Sequence, residues 1–312
     1  MERAGGNRDF GMATVDELSK MTGYEALRER AAWIDLRGRG LIGMTGEDRA
    51  RLLHAMTTNH IQQLKPGDWC YTFFLSAQGR ILADAHVLCR EEEILLDVEP
   101  ERRAFVLEHL DKYIIADDVN LEDLSDHYAV IGLEGPGVPE AEAIEGITVT
   151  GSGGGRVYLD AARREEYLAK LQEAGVVEAD ADAVNVVRLE NARPRYGVDI
   201  TEAHLVQETK MMHAVSFSKG CYLGQEIVER VRARANPHKY LTQVLIEGTA
   251  VPEAGAELRG GDAVTGRVTS AAFSPALGKV AALAYVQTAW AVPGKVMQWG
   301  DAAAIVSDRS VA

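Results

Sequence analysis

The chain has 312 residues, 46% of them hydrophobic and 26% charged, and 33 Lys and Arg against 47 Asp and Glu leave a net charge of −14. That length calls for two or three domains with substantial cores, and the composition excludes intrinsic disorder over most of the chain. The acidic balance opposes a general duplex-binding surface, whose affinity comes from clustered Lys and Arg, so an anionic ligand needs a local basic site.

No stretch approaches the roughly 18 to 20 uncharged apolar residues of a membrane span, and the N-terminal segment has no apolar run of the signal-peptide kind. A cytoplasmic location without a membrane partner is expected. Cys70, Cys89 and Cys221 lie 19 and 132 residues apart with no C-x-x-C or Cys/His knuckle, which indicates neither a disulfide scaffold nor structural zinc. No metal site is expected. An iron–sulfur cluster usually takes four thiolates, so one copy of the chain does not hold one alone.

Residues 1–22 mix Gly, Arg, Asp and Ser without periodicity and read as a mobile tail. Tyr24, Leu27, Ala31 and Ile34 then recur at helical spacing, predicting a short amphipathic helix. Thr45 followed by Asp48 resembles a capping box, and Leu52, Leu53 and Met56 give the helix behind it an apolar face. Residues 69–75, the turn at 77–79 and residues 81–88 read as a β-hairpin. A helix is expected over 101–112, entered through Pro100, followed by extended segments at 117–124 and 128–133. The glycine-rich run 151–155 lies between strand-like pieces at 147–150 and 156–159. It lacks the Gly-Lys-Ser/Thr and helix of a phosphate loop, and reads as a turn. Residues 165–174, closed by Gly175, and 182–191, ending before Pro194, read as helices. From Tyr240 onward short strands alternate with Gly and Pro turns, which predicts a small all-β barrel.

Period-2 alternation in the second hairpin strand puts Leu82, Asp84, His86 and Leu88 on one face and Ile81, Ala83, Ala85 and Val87 on the other. Asp84 in such surroundings can accept a proton, bind a ring N–H of a heterocycle, or cap a turn. Glu190 ends an apolar helical stripe with Ala183 and Val187, where it can take the paired N–H donors of a pterin-like or guanidine-like group, or pair with Arg193. His204, His213 and His238 show no i, i+4 pair of metal-binding type.

The densest stretch is Ser218-Lys219-Gly220-Cys221-Tyr222-Leu223-Gly224-Gln225-Glu226, which leads into Ile227, Val228 and Val231 at helical spacing. A cysteine at the mouth of a helix with a lysine two residues away is expected to favour thiolate. Cys70 and Cys89 read as core residues. Lys210, Lys219, Arg230, Arg232, Arg234 and Lys239 against Glu226 and Glu229 make residues 210–239 a +4 island, leaving −18 elsewhere. Such an island suits an anionic small ligand or a restricted nucleic-acid contact, or is a solvated helix face.

Lys219-Gly220-Cys221-Tyr222-x-Gly224-Gln225-Glu226 resembles the K-G-C-Y-x-G-Q-E signature of the YgfZ group of folate-binding proteins, relatives of the glycine-cleavage T-protein (aminomethyltransferase). The resemblance extends to residues 24–36, to the R-L-E…P-x-Y-G-x-D-I stretch at 187–200, and to Gly266 through Ser270, Ser274-Pro275 and Ala284-Tyr285-Val286. It implies an α+β fold of three lobes around a central folate channel: two interleaved lobes over 23–238 and a C-terminal small β-barrel over 239–312. It implies tetrahydrofolate or a derivative as ligand, with Glu190 on the pterin ring and Asp84 near folate N10. Tyr196, Lys219 and Arg230 complete the expected folate set, the basic stretch holding the glutamate tail. T-proteins commonly show two adjacent aspartates on the strand where this chain has Ala83 and Asp84, and they lack the Cys-Tyr signature. The expected function is therefore a folate-binding accessory protein for iron–sulfur client proteins, including tRNA-thiolating ones, with Cys221 and Asp84 as reactive groups. A restricted tRNA contact through Arg230, Arg232 and Arg234 is the further partner. The alternative is an enzyme that moves a one-carbon unit from an amine to tetrahydrofolate.

Overall fold

A computed structural model describes residues 21–138, 147–151, 154–234 and 237–311. The fold is α+β, with two five-stranded sheets and a closed barrel. The tail expected over 1–22 lies outside the described residues except for its last two. Thr22 is tied down: its amide donates to Asp180 Oδ2 (2.7 Å) and its carbonyl accepts from the Asp180 amide (3.1 Å).

The chain enters the first sheet through α1 (Tyr24–Glu29) and β1 (Ala32–Asp35), then builds the whole second sheet. That sheet comprises β2 (Gly40–Thr45), β3 (Trp69–Leu75), β4 (Ile81–Cys89), β5 (Ile94–Val98) and β6 (Asn120–Asp123), in the order β3-β4-β5-β2-β6. Its helices are α2 (Arg49–Met56) and α3 (Arg103–Asp111). Leu52, Leu53 and Met56 of α2 and Val106 and Leu110 of α3 bury with Phe74, Ala83, Ala85 and Val87 in one core. The alternation in β4 is thereby explained, because one face meets helices and the other, bearing Asp84 and His86, turns away from them.

The chain returns to the first sheet with β7 (Tyr128–Glu134), β8 (Ile147–Gly151), β9 (Gly154–Asp160) and β10 (Val177–Glu178), ordered β10-β1-β7-β9-β8. The turn expected at 151–155 includes residues 152 and 153, which lie outside the described set. The helices α4 (Arg164–Glu173) and α5 (Ala181–Glu190) follow β9 and β10. Asp180 caps α5 by accepting from the Ala183 amide (2.8 Å), and Gly175 (φ 76°) ends α4 in the left-handed conformation that favours glycine.

Two helix expectations are corrected. The helix at Tyr24 stops at Glu29; Ala31 follows it, and Ile34 lies in β1, paired antiparallel with β7. Ile34 keeps helical spacing from Ala31 but also alternates with Ala32 on the buried face of β1, and pairing with β7 decides between the two periods. The Thr45/Asp48 capping box does not form: Thr45 ends β2, and the Asp48 side chain makes no cap bond. Its Oδ2 instead accepts from the Asp118 amide (2.9 Å) across the loop at Gly46, whose φ of 99° excludes other residues.

The C-terminal barrel closes through β11 (Lys239–Ile246), β14 (Lys279–Gln287), β13 (Ala263–Ser274), β12 (Glu257–Gly260), β15 (Val296–Trp299) and β16 (Ala302–Val306). It is fastened to α5 by polar contacts. Gln243 Nε2 donates to the Leu189 and Glu190 carbonyls (2.6 and 3.0 Å), the last two of the helix. Fully buried Asp199 takes Arg188 Nη1 (2.8 Å), the Arg195 amide (3.0 Å) and the hydroxyls of Thr269 and Ser270 (2.6 and 2.5 Å).

The two sheets meet on a buried carboxylate, Asp97 of β5. It accepts Arg39 Nε (2.5 Å), Arg156 Nη1 of β9 (2.5 Å) and the Tyr158 hydroxyl (2.7 Å). Burial alone would raise Asp97, but the two guanidiniums outweigh it and hold the carboxyl far below its usual range. Removing one partner of such a set leaves uncompensated buried charge. Asp97→Ala is therefore expected to lower stability by about 3 to 5 kcal/mol, read as the urea midpoint of unfolding. A loss near zero would show that the cluster does not join the sheets.

Candidate functional site

Asp84 is the buried carboxylate on the inner face of the hairpin. In the β3–β4 register it stands opposite Phe73, with Tyr71 opposite His86. Tyr71 reaches diagonally to donate its hydroxyl to Asp84 Oδ2 (2.7 Å). Asp84 Oδ1 and His86 Nδ1 are buried without a hydrogen-bond partner among the described residues. Around them stand aromatic rings: Tyr71 lies 5.1 Å from His86 and 5.7 Å from His213, and Trp69 lies 6.0 Å from His86. Tyr196 closes the end of this face, its hydroxyl donating to the Leu82 carbonyl (2.5 Å) with Arg102 over its ring at 5.2 Å.

Burial raises Asp84 to about 6, against the pull of Tyr71, Arg39 and Arg156. His86 is driven well below its ordinary value by burial and by Arg156, and is neutral. The arrangement offers a carboxylate more basic than usual, one free acceptor oxygen and aromatic walls. It suits a planar heterocycle that presents N–H or releases a proton. Asp84 caps no turn.

Glu190 belongs to a separate cluster. Its Oε1 accepts the hydroxyls of Tyr24 and Ser274, both at 2.5 Å, and its Oε2 accepts Arg28 Nε at 3.0 Å. The expected alternative pairing with Arg193 does not occur, because Arg193 turns to Glu134 Oε2 (3.0 Å). A cavity of about 470 Å³ adjoins Glu190, lined also by Arg28, Arg193 and Arg309. No hydrogen bond among the described residues links the Asp84 and Glu190 clusters. Of the expected folate set, the structure brings Tyr196 beside Asp84; Glu190, Lys219 and Arg230 lie in other settings.

The Lys219–Glu226 motif is largely a device of the fold. Buried Lys219 donates from Nζ to the carbonyls of His54 (2.5 Å), Thr57 (2.5 Å) and Asn59 (2.8 Å), gripping the C-terminal end of α2. Burial pushes its ammonium down to about 7, while the three carbonyls favour the proton. Tyr222 is buried in the core shared with the barrel, and the Leu223 amide donates to the Ala55 carbonyl (3.0 Å). Gly224 (φ 85°) could not carry a side chain, since a Cβ would stand 2.6 Å from the Ser76 carbonyl in the hairpin turn. The helix α6 (Gln225–Arg234) starts only after this grip. Cys221 is exposed four positions before it, and Lys219 points inward, so the lysine expected to polarise the thiol is turned away. Cys70 and Cys89 are half-buried and raised by burial, Cys70 to about 12. On α6, Arg230 and Arg232 pair with Glu226 (2.9 Å) and Glu229 (3.5 Å), which reduces the basic island.

Sequence reasoning missed Tyr71, Tyr24, Arg28 and Ser274. Tyr71 was one position out of reach: counting strand positions back from the turn at 77–79 sets it opposite Ala85, and the bulge between Phe74 and Leu75 moves it opposite His86. The other three come from α1 and the barrel, and no spacing relates them to Glu190.

Comparison with known proteins agrees with this architecture. Residues 17–149 match the GCVT N-terminal domain and residues 239–302 the glycine cleavage T-protein C-terminal barrel domain. An aminomethyltransferase of Streptomyces avermitilis is 31% identical over 305 residues, covering 86% of this chain and 82% of the relative. The chain belongs to the aminomethyltransferase-like GCVT family. An aminomethyltransferase of Thermus thermophilus is 28% identical over 291 residues, covering 84% of this GCVT chain and 81% of the relative. The crystal structure of glycine cleavage system aminomethyltransferase T from Bartonella henselae shares the fold with a TM-score of 0.80 at 19% identity, over 92% of this GCVT chain and 87% of the other.

Asp84 makes stability in this GCVT-family protein fall with pH in a defined window. Its folded pKa of about 6 exceeds the ordinary 3.8, so its contribution is complete below 3.8 and lost as pH rises through 6. Asp84→Asn is expected to remove this loss, raising stability at pH 8 relative to pH 3.5 by on the order of 3 kcal/mol compared with the unsubstituted chain. Parallel pH profiles of urea unfolding would contradict the assignment.

Proposed function

We propose that this chain is a folate-dependent one-carbon transferase of the aminomethyltransferase kind, with Asp84 as its acid–base group. The carrying observation is the buried, raised carboxyl of Asp84, with an unpartnered oxygen among Trp69, Tyr71, His86 and His213. Those residues fit a reduced pterin, which is flat, partly apolar and edged with N–H groups. Tetrahydrofolate, when bound, supplies the secondary amines that take up the one-carbon unit. Asp84 accepts the proton released from the attacking nitrogen and passes it to the amine that departs from the one-carbon unit, while Tyr71 holds the other carboxyl oxygen and leaves Oδ1 free for the ligand. The rings exclude water, and neutral His86 adds an acceptor or a donor according to its tautomer. Family membership supports the reading, since the matched relatives are aminomethyltransferases. Ala83 beside Asp84 leaves one carboxylate on this strand for the chemistry.

The test is formation of methylene-tetrahydrofolate from candidate aminomethyl donors X–CH2–NH2, whose carbon is already at the oxidation level of the product, with release of ammonia. Asp84→Asn is expected to lower kcat by about 10² to 10⁴, the range for general acid–base catalysis, while folate affinity changes only a few-fold. Unchanged turnover in the variant would remove Asp84 from the reaction.

A second reading, the accessory protein for iron–sulfur clients, is favoured by one observation: the Lys219–Glu226 loop is tightly anchored yet leaves Cys221 exposed. It predicts folate binding without turnover, and loss of cluster-enzyme activity in a deletion strain complemented with Cys221→Ala. Full complementation by that variant would exclude a role for the thiol.

A further inference from the structure

The strand β3, which carries Tyr71, is an edge strand of the second sheet, so its outer backbone groups need partners other than a neighbouring strand of that sheet. The segment that follows α2 supplies them. The Thr58 amide donates to the Phe73 carbonyl (3.1 Å), and the Thr58 hydroxyl accepts the Phe73 amide (3.0 Å). At Tyr71 the partner is a side chain. Asn59 Nδ2 donates to the Tyr71 carbonyl (2.9 Å) and to the His213 carbonyl (3.0 Å), which commits both of its amide hydrogens.

Asn59 is itself held from three directions. Its Oδ1 accepts the His60 amide (2.8 Å), its backbone amide donates to the Thr72 hydroxyl (2.9 Å), and its carbonyl accepts Lys219 Nζ (2.8 Å). Its side chain therefore has one orientation that satisfies every bond. Tyr71 and His213 are distant in the chain, yet their rings stand 5.7 Å apart on the wall of the Asp84 site. Tyr71 then passes its hydroxyl to Asp84 Oδ2 (2.7 Å). A continuous hydrogen-bonded path thus runs from Lys219 through Asn59 and Tyr71 to the carboxyl, while Asn59 makes no bond to Asp84 among the described residues.

We infer that Asn59 is a positioning residue for Asp84: by bonding the backbones of Tyr71 and His213 together it holds the Tyr71 hydroxyl on Oδ2 and leaves Oδ1 open between the two rings. For its effect on rate the inference rests on the one-carbon transferase reading, but its effect on Asp84 is measurable without turnover. The charged and titratable groups that bear on Asp84 are Tyr71 of β3, Arg39 ahead of β2, Glu99 after β5 and Arg156 of β9, with His86 on the same face of β4 and Tyr196 at its end. Among these, Tyr71 is the one whose backbone Asn59 bonds. The Tyr71 hydroxyl favours the ionised carboxyl, so loosening it moves the Asp84 titration to higher pH.

The experiment is carboxyl-carbon NMR of the full chain, isotopically labelled in aspartate, with the Asp84 resonance assigned by its absence in Asp84→Asn. The midpoint is expected to rise by about one pH unit in Asn59→Ala and in the uncharged, similarly sized Asn59→Leu, the size of one lost charge-assisted hydrogen bond. Tyr71→Phe should raise it by about the same amount. Adding Asn59→Ala to Tyr71→Phe should bring no further rise, because both act through one bond. In the methylene-tetrahydrofolate assay the acid limb of kcat/KM, which needs Asp84 ionised, should move up equally, lowering kcat/KM by about tenfold on that limb. Asn59 variants that melt earlier but keep the Asp84 midpoint of the unsubstituted chain overturn the inference, since Asn59 would then only stabilise the fold. Rises that add in the double variant also overturn it. A shifted midpoint in a chain that shows no turnover keeps the role of Asn59 and removes the transferase reading instead.

Discussion

A fully buried carboxylate, Asp97, is the constraint on which the arrangement of the two sheets depends. It lies on β5, and its partners are Arg39, ahead of β2, and Arg156 and Tyr158 on β9. The polypeptide leaves the first sheet after one strand, completes the second and then returns, so two backbone crossings already connect them. What Asp97 adds is an orientation: two guanidiniums and a phenol meet one anion only when β5 and β9 stand in a particular relation. An unpaired charge at such depth is costly, so looser relations are disfavoured. Glu99, paired with Arg39 Nη1 at 2.5 Å, balances the second guanidinium.

The same cluster sets the electrostatics of Asp84. Desolvation pushes that carboxyl up, and the nearby guanidiniums Arg39 and Arg156 moderate the rise to about 6. Without them the group would be a neutral acid over a wider pH range; with no burial it would be an ordinary weak base. Basicity useful near neutrality thus comes from two opposed effects, one of them created by the contact between sheets. Asp84 itself stands on a hairpin strand whose other face is locked into the core with α2 and α3, which fixes its position before any ligand arrives.

The anchored loop at Lys219–Glu226 ties this hairpin to the rest of the molecule. Lys219 grips the end of α2, Gly224 lets the backbone pass against the hairpin turn, and Tyr222 enters the core shared with the barrel. A motif that reads as a reactive-thiol signature is therefore first a three-way joint, and its surface residue Cys221 is presented by the joint. Glu190 and the arginine-lined cavity occupy another junction, where α1, α5, the barrel and the C-terminal segment meet. Chemistry-bearing groups in this protein collect where lobes meet, because only there are polar side chains buried deeply enough to have altered properties and left open enough to receive a ligand.

Much of this was legible in the sequence, where a local period was enough. The hairpin and the inner face bearing Asp84, the helices α4 and α5, and the barrel all follow from spacing and turn residues, since these features depend on neighbours a few positions away. The GCVT family was legible for a different reason, because the resemblance runs along most of the chain, from residues 24–36 through 187–200 to the barrel. The sequence misled where two periods coincided, as at Ile34, which keeps helical spacing from Ala31 and strand spacing from Ala32, and where a side chain had a local and a distant partner to choose between. Asp48 took Asp118 rather than a helix cap, and Lys219 took three carbonyls rather than Cys221. By itself, then, the sequence determined the elements, their faces and the residues capable of chemistry. That Asp84 gained raised basicity while Asp97 was held low, and that Cys221 remained exposed, were decided only by the tertiary structure, because burial and charge pairing depend on distances between residues that the chain holds tens to hundreds of positions apart.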